Sequence, residues 1–253
     1  MEGGLIQDPW FYVLAVPAVI AVGISKAGVA GTAGIAVTLM ALVVSVPQAA
    51  AILLPLLCVA DIFTVWTYRK TWDPANLRIM IPGAVIGTLA GWAGFKFLDP
   101  EAVKLMLGVI AIWFSLQSLF WRGSQAEPTR PRVVKGTFWS AMSGFTSFII
   151  HGGSPPLNVY LLPQRLPKAV FVGTAAIHFM FLNYAKIVPY SLLGQFHLTN
   201  LTTSLVLVPV VPLGVYCGLW IQRSLSEAMF YKVILSMLFL VGVKLTYDGV
   251  VGL

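Results

Sequence analysis

The chain has 253 residues, of which 58% are hydrophobic and only 10% are charged, and its mean hydropathy is +0.87. A soluble domain carries about 25% charged residues, so this composition excludes a soluble globular protein and indicates a membrane protein. The formal net charge of +7 does not indicate nucleic-acid binding, because the basic residues form no continuous run and collect between the apolar stretches.

Near-continuous apolar runs follow one another along the chain, and several approach the roughly 20 residues with which a helix crosses a bilayer. The runs cover residues 10–24, 29–46, 48–67, 78–97, 102–121, 136–150, 167–189, 203–222 and 228–247. They lack the alternation of polar and apolar residues that a membrane β-barrel requires. We therefore predict an all-α polytopic membrane protein.

Two polar, glycine-rich interruptions lie inside this apolar sequence. The first interruption covers residues 23–34 and the second covers residues 144–156. Hydrocarbon tolerates broken backbone and an embedded charge only where they are buried in protein or line a cavity. Paired interruptions at matching places in two halves are typical of the substrate site of a transporter.

Landmark residues recur in the same order in the two halves, which indicates an internal duplication. Val46-Pro47-Gln48-Ala49 matches Leu166-Pro167-Lys168-Ala169, Asn76-Leu77 matches Asn200-Leu201, and Ile81-Pro82 with Gly87 matches Val208-Pro209 with Gly214. We predict a first repeat of residues 1–121, a polar cytoplasmic linker of residues 122–134 and a second repeat of residues 135–253. The two repeats form one membrane domain.

The two repeats are predicted to be inverted. Each begins with a stretch too long for one crossing, such as residues 10–46, which we interpret as a broken or re-entrant helix pair. Three transmembrane helices follow, so each half makes an odd number of net crossings. The inverted arrangement places Arg165 and Lys168 in the cytoplasm and the loop 191–202, which has no Lys or Arg, outside, as the positive-inside rule favours.

Three helix starts are predicted from a capping side chain that precedes a proline. Asp73, Asp99 and Ser154 each stand directly before Pro in the sequence. A short polar side chain at the N-cap and proline at the first helical position are both favoured there. These residues are assigned a structural role only.

The interruptions are predicted to form one anion site. Helices that begin there present unpaired backbone N–H groups and the positive ends of their dipoles, and a helix N-terminus of this kind binds anions. Glycines let a ligand touch the backbone, Lys26 adds a charge, and hydroxyl groups and an imidazole can donate hydrogen bonds. The predicted substrate-binding residues are Ser25, Lys26, Gly28, Gly31, Thr32, Thr146, Ser147, His151, Gly152, Gly153 and Ser154.

Several of these residues also admit purely structural interpretations. The glycines could serve close helix packing, Lys26 could extend its ammonium group to the cytoplasmic interface, and His151 could be a hydrogen-bonded core histidine. For His178 we favour an interior hydrogen bond to the backbone.

Asp61 is the one acid deep within an apolar run, and Asn183 is its rough counterpart in the second half. Intramembrane acids are functional candidates by default. Asp61 could carry a coupling proton, or it could neutralise Lys26 or Lys186. We favour the structural ion pair slightly.

The glycine-rich interruptions and the helix starts that follow them resemble the TauE/SafE family of sulfite and organosulfur-anion permeases. The resemblance rests also on Pro47-Gln48-Ala49-Ala50, Pro167-Lys168-Ala169-Val170 and Val172-Gly173-Thr174, and it covers residues 10–248. It implies export of sulfite or a sulfonate across a bilayer, the inner (plasma) membrane of a bacterium, and it allows a homo-oligomer. Family members often carry consecutive glycines at each interruption, whereas this chain has Lys26 and His151 there, so its anion could differ.

The favoured function is therefore a secondary transporter that exports a small sulfur oxyanion by alternating access. The alternatives are a proton-coupled uptake permease that uses Asp61 and a non-transporting membrane scaffold or sensor. An enzyme is disfavoured, because His151 with Ser154 is the only candidate catalytic pair and Pro155-Pro156 after it indicates a helix start. We predict no catalytic residue, metal, cofactor or nucleic-acid partner.

Overall fold

The computed structural model describes residues 4–26, 36–37, 39–95, 97, 99–118 and 127–252. Regular secondary structure in these residues is helical throughout, as predicted. The principal helices are α1 (Pro9–Lys26), α2 (Val46–Tyr68), α3 (Pro74–Gly94), α4 (Pro100–Leu116), α5 (Val133–Ile150), α6 (Ser154–Leu161), α7 (Lys168–Leu192), α8 (Leu198–Leu207), α9 (Val210–Ser224) and α10 (Glu227–Gly252). A short 3-10 turn, Leu162–Gln164, follows α6.

Five of the described helices are long and apolar enough to cross a bilayer, namely α1, α2, α3, α7 and α10. Together, α8 and α9 also meet this test, but they meet at a bend of 49°. The predicted single run 203–222 is thus two helices. Pro209 and Pro212 have no N–H with which to continue the helical hydrogen bonds, so the helix breaks between Leu207 and Val210.

The helices pack in pairs, and the pattern of pairs is consistent with the predicted duplication. The most extensive contacts join α3 to α5, α9 to α1, α4 to α10 and α2 to α7. In the predicted duplication, α9 is the counterpart of α3 and α1 is the counterpart of α5, so the α3–α5 pair corresponds to the α9–α1 pair. The other two pairs, α4–α10 and α2–α7, each join a helix to its own counterpart. The interior is therefore built jointly by both halves, while their inverted orientation and their boundaries stay predictions.

Glycines allow the first two of these pairs to pack closely. Gly87 of α3 lies so near α5 that a Cβ atom would overlap the backbone carbonyl of Ala141. Its predicted counterpart, Gly214 of α9, lies against α1, where a Cβ atom would be 2.6 Å from the carbonyl oxygen of Ile20. Small residues at such contacts allow close van der Waals packing between helices in hydrocarbon.

Two of the three predicted N-caps are confirmed and one is wrong. Asp73 accepts a hydrogen bond from the N–H of Asn76 at 2.8 Å, and Asp99 accepts one from the N–H of Glu101 at 3.0 Å. Ser154 is instead the first residue of α6, Gly153 stands at the N-cap, and no side chain caps the helix. Gly153 lies so close to α5 that a Cβ atom there would be 2.9 Å from Ser143 O, so a glycine suits the position expected for the capping serine.

We expect Gly87→Leu to destabilise the protein by about 1–3 kcal/mol or more, because the added side chain forces α3 away from α5. Ala90→Leu is the matched control, since Ala90 lies on the exposed face of the same helix. Thermal unfolding of both purified variants in detergent measures the difference. Equal midpoints for the two variants would contradict the close α3–α5 contact.

Candidate functional site

The centre of the fold is the contact between α2 and α7, which carries polar side chains shielded from solvent. Asp61 of α2 and Lys186 of α7 are 0% exposed, and Asn183 of α7 is 2% exposed. Asn183 and Lys186 are three positions apart on α7 and therefore share one face of that helix. The C-terminal end of α1, where the first interruption begins, and the second interruption at the end of α5 reach this centre.

Asp61 is held by two partners. The Lys26 ammonium group, at the C-terminal end of α1, lies 2.6 Å from Oδ1 of Asp61, and Asn183 Nδ2 donates to Oδ2 at 2.6 Å. The side chain of Lys26 is only 7% exposed, so the alternative in which it extends to the interface is wrong. The ion pair favoured from the sequence is present, and the positive charge of Lys26 is already matched by Asp61.

The second interruption leaves helical geometry at one residue. His151 adopts the left-handed conformation with φ of 52°, directly after the last residue of α5. Its N–H donates to Ser147 O at 3.2 Å, and the N–H of Gly152 donates to Thr146 O at 3.2 Å, which closes the helix end. A left-handed residue ends the helix and lets α6 start in a new direction.

Hydroxyl groups of α5 hold the carbonyls of this turn. Thr146 Oγ1 donates to the carbonyl of Gly152 at 3.0 Å, and Ser143 Oγ donates to that of Gly153 at 2.7 Å. A Cβ atom at Gly153 would lie 2.9 Å from Ser143 O. Thr146, Gly152 and Gly153 therefore shape the turn, and they are not among the residues that line the cavity described below. Their role as substrate contacts stays a prediction.

His151 is a hydrogen-bonded core histidine with both ring nitrogens engaged. Its Nε2 lies 3.1 Å from the carbonyl of Ala50, and its Nδ1 lies 3.0 Å from Nζ of Lys186. A carbonyl and an ammonium group fix the tautomer, with the proton on Nε2. While these contacts hold, the imidazole has no N–H left to donate to a ligand.

Lys186 is the buried cation that the sequence ranked only among ion-pair candidates. Its Nζ lies 3.1 Å from Ser147 O, 3.0 Å from Ser147 Oγ and 3.0 Å from His151 Nδ1. These contacts use all three ammonium protons. Within the described residues Lys186 has no carboxylate partner, since the ion pairs found there join Lys26, Lys104 and Lys244 to other acids.

A cavity of about 50 Å³ lies where the two interruptions meet. One water molecule needs roughly 10–15 Å³ on this measure, so the space suits a ligand of a few heavy atoms. Six predicted residues line it: Ser25, Lys26, Ser147, His151, Ser154 and Asn183. Gly28, Gly31 and Thr32 lie outside the described residues.

Asn158 is a cavity residue that the sequence reasoning missed. It lies on α6 four residues after Ser154 and is 3% exposed, and its Nδ2 has no hydrogen-bond partner in the described part of the chain. An i, i+4 pair shares one helix face, so the spacing from Ser154 could have identified it. A buried, unpartnered amide donor beside a cavity is the arrangement that an anionic ligand would satisfy.

The N-terminus of α6 offers fewer backbone donors than predicted. Pro155 and Pro156 follow Ser154 and have no N–H. The first turn therefore has Ser154 as its one N–H donor, and side-chain donors must supply most of the polar contacts with any ligand.

The hydrogen-bond partner predicted for His178 is wrong. Its Nε2 lies 3.2 Å from the hydroxyl of Ser143, not from a backbone group, and its Nδ1 has no hydrogen-bond partner among the described residues. Ser143 in turn holds the turn at Gly153, so His178 supports the second interruption from α7.

The model of the family described as "Sulfite exporter TauE/SafE" matches residues 3–245, nearly the whole chain. Neither a curated protein nor a solved structure matches the chain.

Removing one partner of the buried Lys26–Asp61 pair is expected to cost more than removing both. Asp61→Asn leaves a buried ammonium group without a counter-charge, a loss of about 3–5 kcal/mol, and Lys26→Met/Asp61→Asn should recover much of it. Thermal unfolding of the two single variants and the double variant measures the coupling.

The exposed pair Lys244–Asp248 is the control for this cycle, because the side chain of Lys244 is 47% exposed and the pair should contribute about 1 kcal/mol or less. Additive losses in the Lys26–Asp61 cycle would contradict a buried ion pair.

Proposed function

The chain belongs to the sulfite exporter TauE/SafE family, and we propose that it exports a small sulfur-containing oxyanion, sulfite or an organosulfonate, by alternating access. The family is one of membrane permeases, so the chain is a membrane transporter and not an enzyme. The choice of anion, the direction of transport and the site are our proposal.

The observation that carries the proposal is the cavity between the interruptions. The first half contributes Ser25 and Lys26, and the second contributes Ser147, Ser154 and Asn158. Hydroxyl and amide donors around a small space suit an anion with several oxygen atoms. The apolar part of the wall, which includes Phe171 and Phe179, would accept the carbon of a sulfonate.

Alternating access requires contacts between the halves that can open in turn, and two Gln–Asn contacts are candidates. Asn76 and Gln164 exchange hydrogen bonds of 2.8 and 3.1 Å, and both side chains are buried. Gln48 donates to Asn200 at 3.2 Å. Asn76 and Asn200 are predicted counterparts, so in an inverted arrangement these contacts lie on opposite sides of the membrane.

The Asn76–Gln164 contact has two hydrogen bonds and the Gln48–Asn200 contact has one, so we propose that the Asn76–Gln164 side is the more firmly closed of the two. The predicted orientation places it on the cytoplasmic side. We therefore propose that rocking of the repeats breaks this contact when the site opens to the cytoplasm to load an anion for export.

Proton-coupled uptake through Asp61 is the second candidate, and the contacts of Asp61 disfavour it. Both carboxylate oxygens accept hydrogen bonds, from Lys26 and Asn183. A proton on Asp61 would remove the negative charge that balances the buried Lys26. Flux through Asp61→Asn whose dependence on pH and on the proton gradient equals that of the wild type would eliminate this candidate, and loss of that dependence would favour it.

A non-transporting scaffold or sensor predicts no flux at all. The buried Nδ2 of Asn158, which has no partner among the described residues, argues for a site that a ligand occupies. Saturable movement of an anion by the purified protein separates a transporter from a scaffold.

We expect purified protein in liposomes to move ³⁵S-labelled sulfite saturably. Ser147→Ala should raise the concentration for half-maximal flux roughly ten- to a hundredfold, because a hydrogen bond to a charged group is worth about 1.5–3 kcal/mol. Lys26→Ala should also lose flux, since it leaves the charge of Asp61 unbalanced beside the cavity.

Ser191→Ala is the matched control, because Ser191 is an exposed serine on α7 whose hydroxyl bonds only its own helix. It should transport like the wild type. Absence of saturable sulfite flux would refute the proposed function, and unchanged flux in Ser147→Ala and Lys26→Ala would refute the site.

A further inference from the structure

The interior of this bundle carries one more positive charge than negative charge. Lys26, Lys186 and Asp61 are its charged residues in the described part of the chain, and Lys26 is paired with Asp61. His151 is neutral, because it accepts at Nδ1 from Lys186 and donates at Nε2 to Ala50. The charge of Lys186 therefore remains without a counter-charge.

Among the described residues no other acid is placed to neutralise Lys186. Of the chain's nine acids, Asp61 is the one buried within the described residues. The segments outside the described residues contain a single acid, Glu2 at the N-terminus. A charge buried in a membrane interior is retained where a partner stabilises it, and here the protein supplies hydrogen bonds but no charge.

Ser147 connects Lys186 to the cavity. Lys186 lies behind the cavity wall and donates to Ser147 Oγ at 3.0 Å, and Ser147 itself lines the cavity. The Ser147 hydroxyl has an acceptor for its own proton neither on α5 nor elsewhere among the described residues. A hydroxyl that accepts from an ammonium group donates more strongly, so Ser147 presents the charge of Lys186 to a ligand.

We infer that Lys186, acting through the Ser147 hydroxyl, makes the site selective for anions that carry one negative charge. This inference rests on the proposed transport of a sulfur oxyanion and names the charge class of that substrate. An anion with one negative charge makes the interior neutral. An anion with two negative charges leaves the interior with one net negative charge, which is as far from neutrality as the one net positive charge of the empty site. The substrate class is thus hydrogensulfite or a sulfonate, and the sulfite dianion is excluded.

Lys186 is a positioning and charge-setting residue, because Ser147 lies between it and the cavity. The titratable and charged groups that face Lys186 are His151 from the second interruption, Asp61 and Cys58 from α2, and Lys26 from α1. A test that varies pH must separate their titration from that of the anion.

The experiment measures binding of three anions to the purified full-length protein by isothermal titration calorimetry, from mildly acidic to mildly alkaline pH. Methanesulfonate is a monoanion and sulfate a dianion throughout this range, while sulfite changes from monoanion to dianion near neutrality. We expect methanesulfonate to bind at least about tenfold more tightly than sulfate. Sulfite affinity should fall with rising pH in proportion to the hydrogensulfite fraction, after correction for any change seen with methanesulfonate.

Variants then test the source of the selectivity. Lys186→Met should weaken methanesulfonate binding about ten- to a hundredfold, whereas Lys244→Met, which removes an exposed ammonium group from α10, should not. Asp61→Asn adds one net positive charge to the interior and should shift the preference toward sulfate. Ser147→Ala keeps every charge and should weaken the binding of methanesulfonate and of sulfate by similar factors, which distinguishes its role from that of the charged residues.

The outcomes separate the two levels of the proposal. A wild-type protein that binds none of the three anions overturns the proposed function and this inference with it. A wild-type protein that binds sulfate as tightly as methanesulfonate, a folded Lys186→Met that binds methanesulfonate as tightly as the wild type, or a folded Asp61→Asn without a shift toward sulfate overturns the inference and leaves the proposed function standing.

Discussion

The organisation of this protein depends on how it buries charge in an apolar bundle. Lys26 and Asp61 form an ion pair that Asn183 completes, and these residues come from three helices, α1, α2 and α7. Breaking such a pair in a low-dielectric interior is costly. The C-terminal end of α1, where the first interruption begins, is therefore fixed against the α2–α7 contact, and the cavity forms beside that fixed point.

The second interruption is held in a corresponding way, by hydroxyl groups and by Lys186 and not by an ion pair. Ser143 and Thr146 hold the carbonyls of the turn, and Lys186 holds Ser147 and His151. The two halves thus approach one cavity with different chemistry. One side presents a neutralised pair, and the other presents a cation without a carboxylate partner among the described residues. The proposed anionic ligand would remove this asymmetry.

Sequence reasoning predicted the fold well where periodicity and composition decide it. The apolar runs predicted the helices. Gly87 and Gly214, which the sequence matched only as landmarks of the two halves, prove to pack closely against α5 and α1. Sequence reasoning failed where contacts between distant parts of the chain decide the role of a residue. The sequence does not show that Thr146 and Gly153 shape a turn, that Lys186 lies behind Ser147, or that Asn158 has an amide donor without a partner in the described part of the chain. The missed capping role of Gly153 and the break at Pro209 depend on local geometry that residue type alone leaves open.

The central claim is that one anion occupies the cavity between the interruptions, within reach of Ser147 and Asn158. Anomalous diffraction at the selenium edge from crystals grown with selenite, the selenium analogue of sulfite, tests it most directly. The account predicts one anomalous peak in the cavity, with oxygen atoms about 3 Å from Ser147 Oγ and Asn158 Nδ2. A fully occupied selenite elsewhere in the bundle, with this cavity empty, would contradict it.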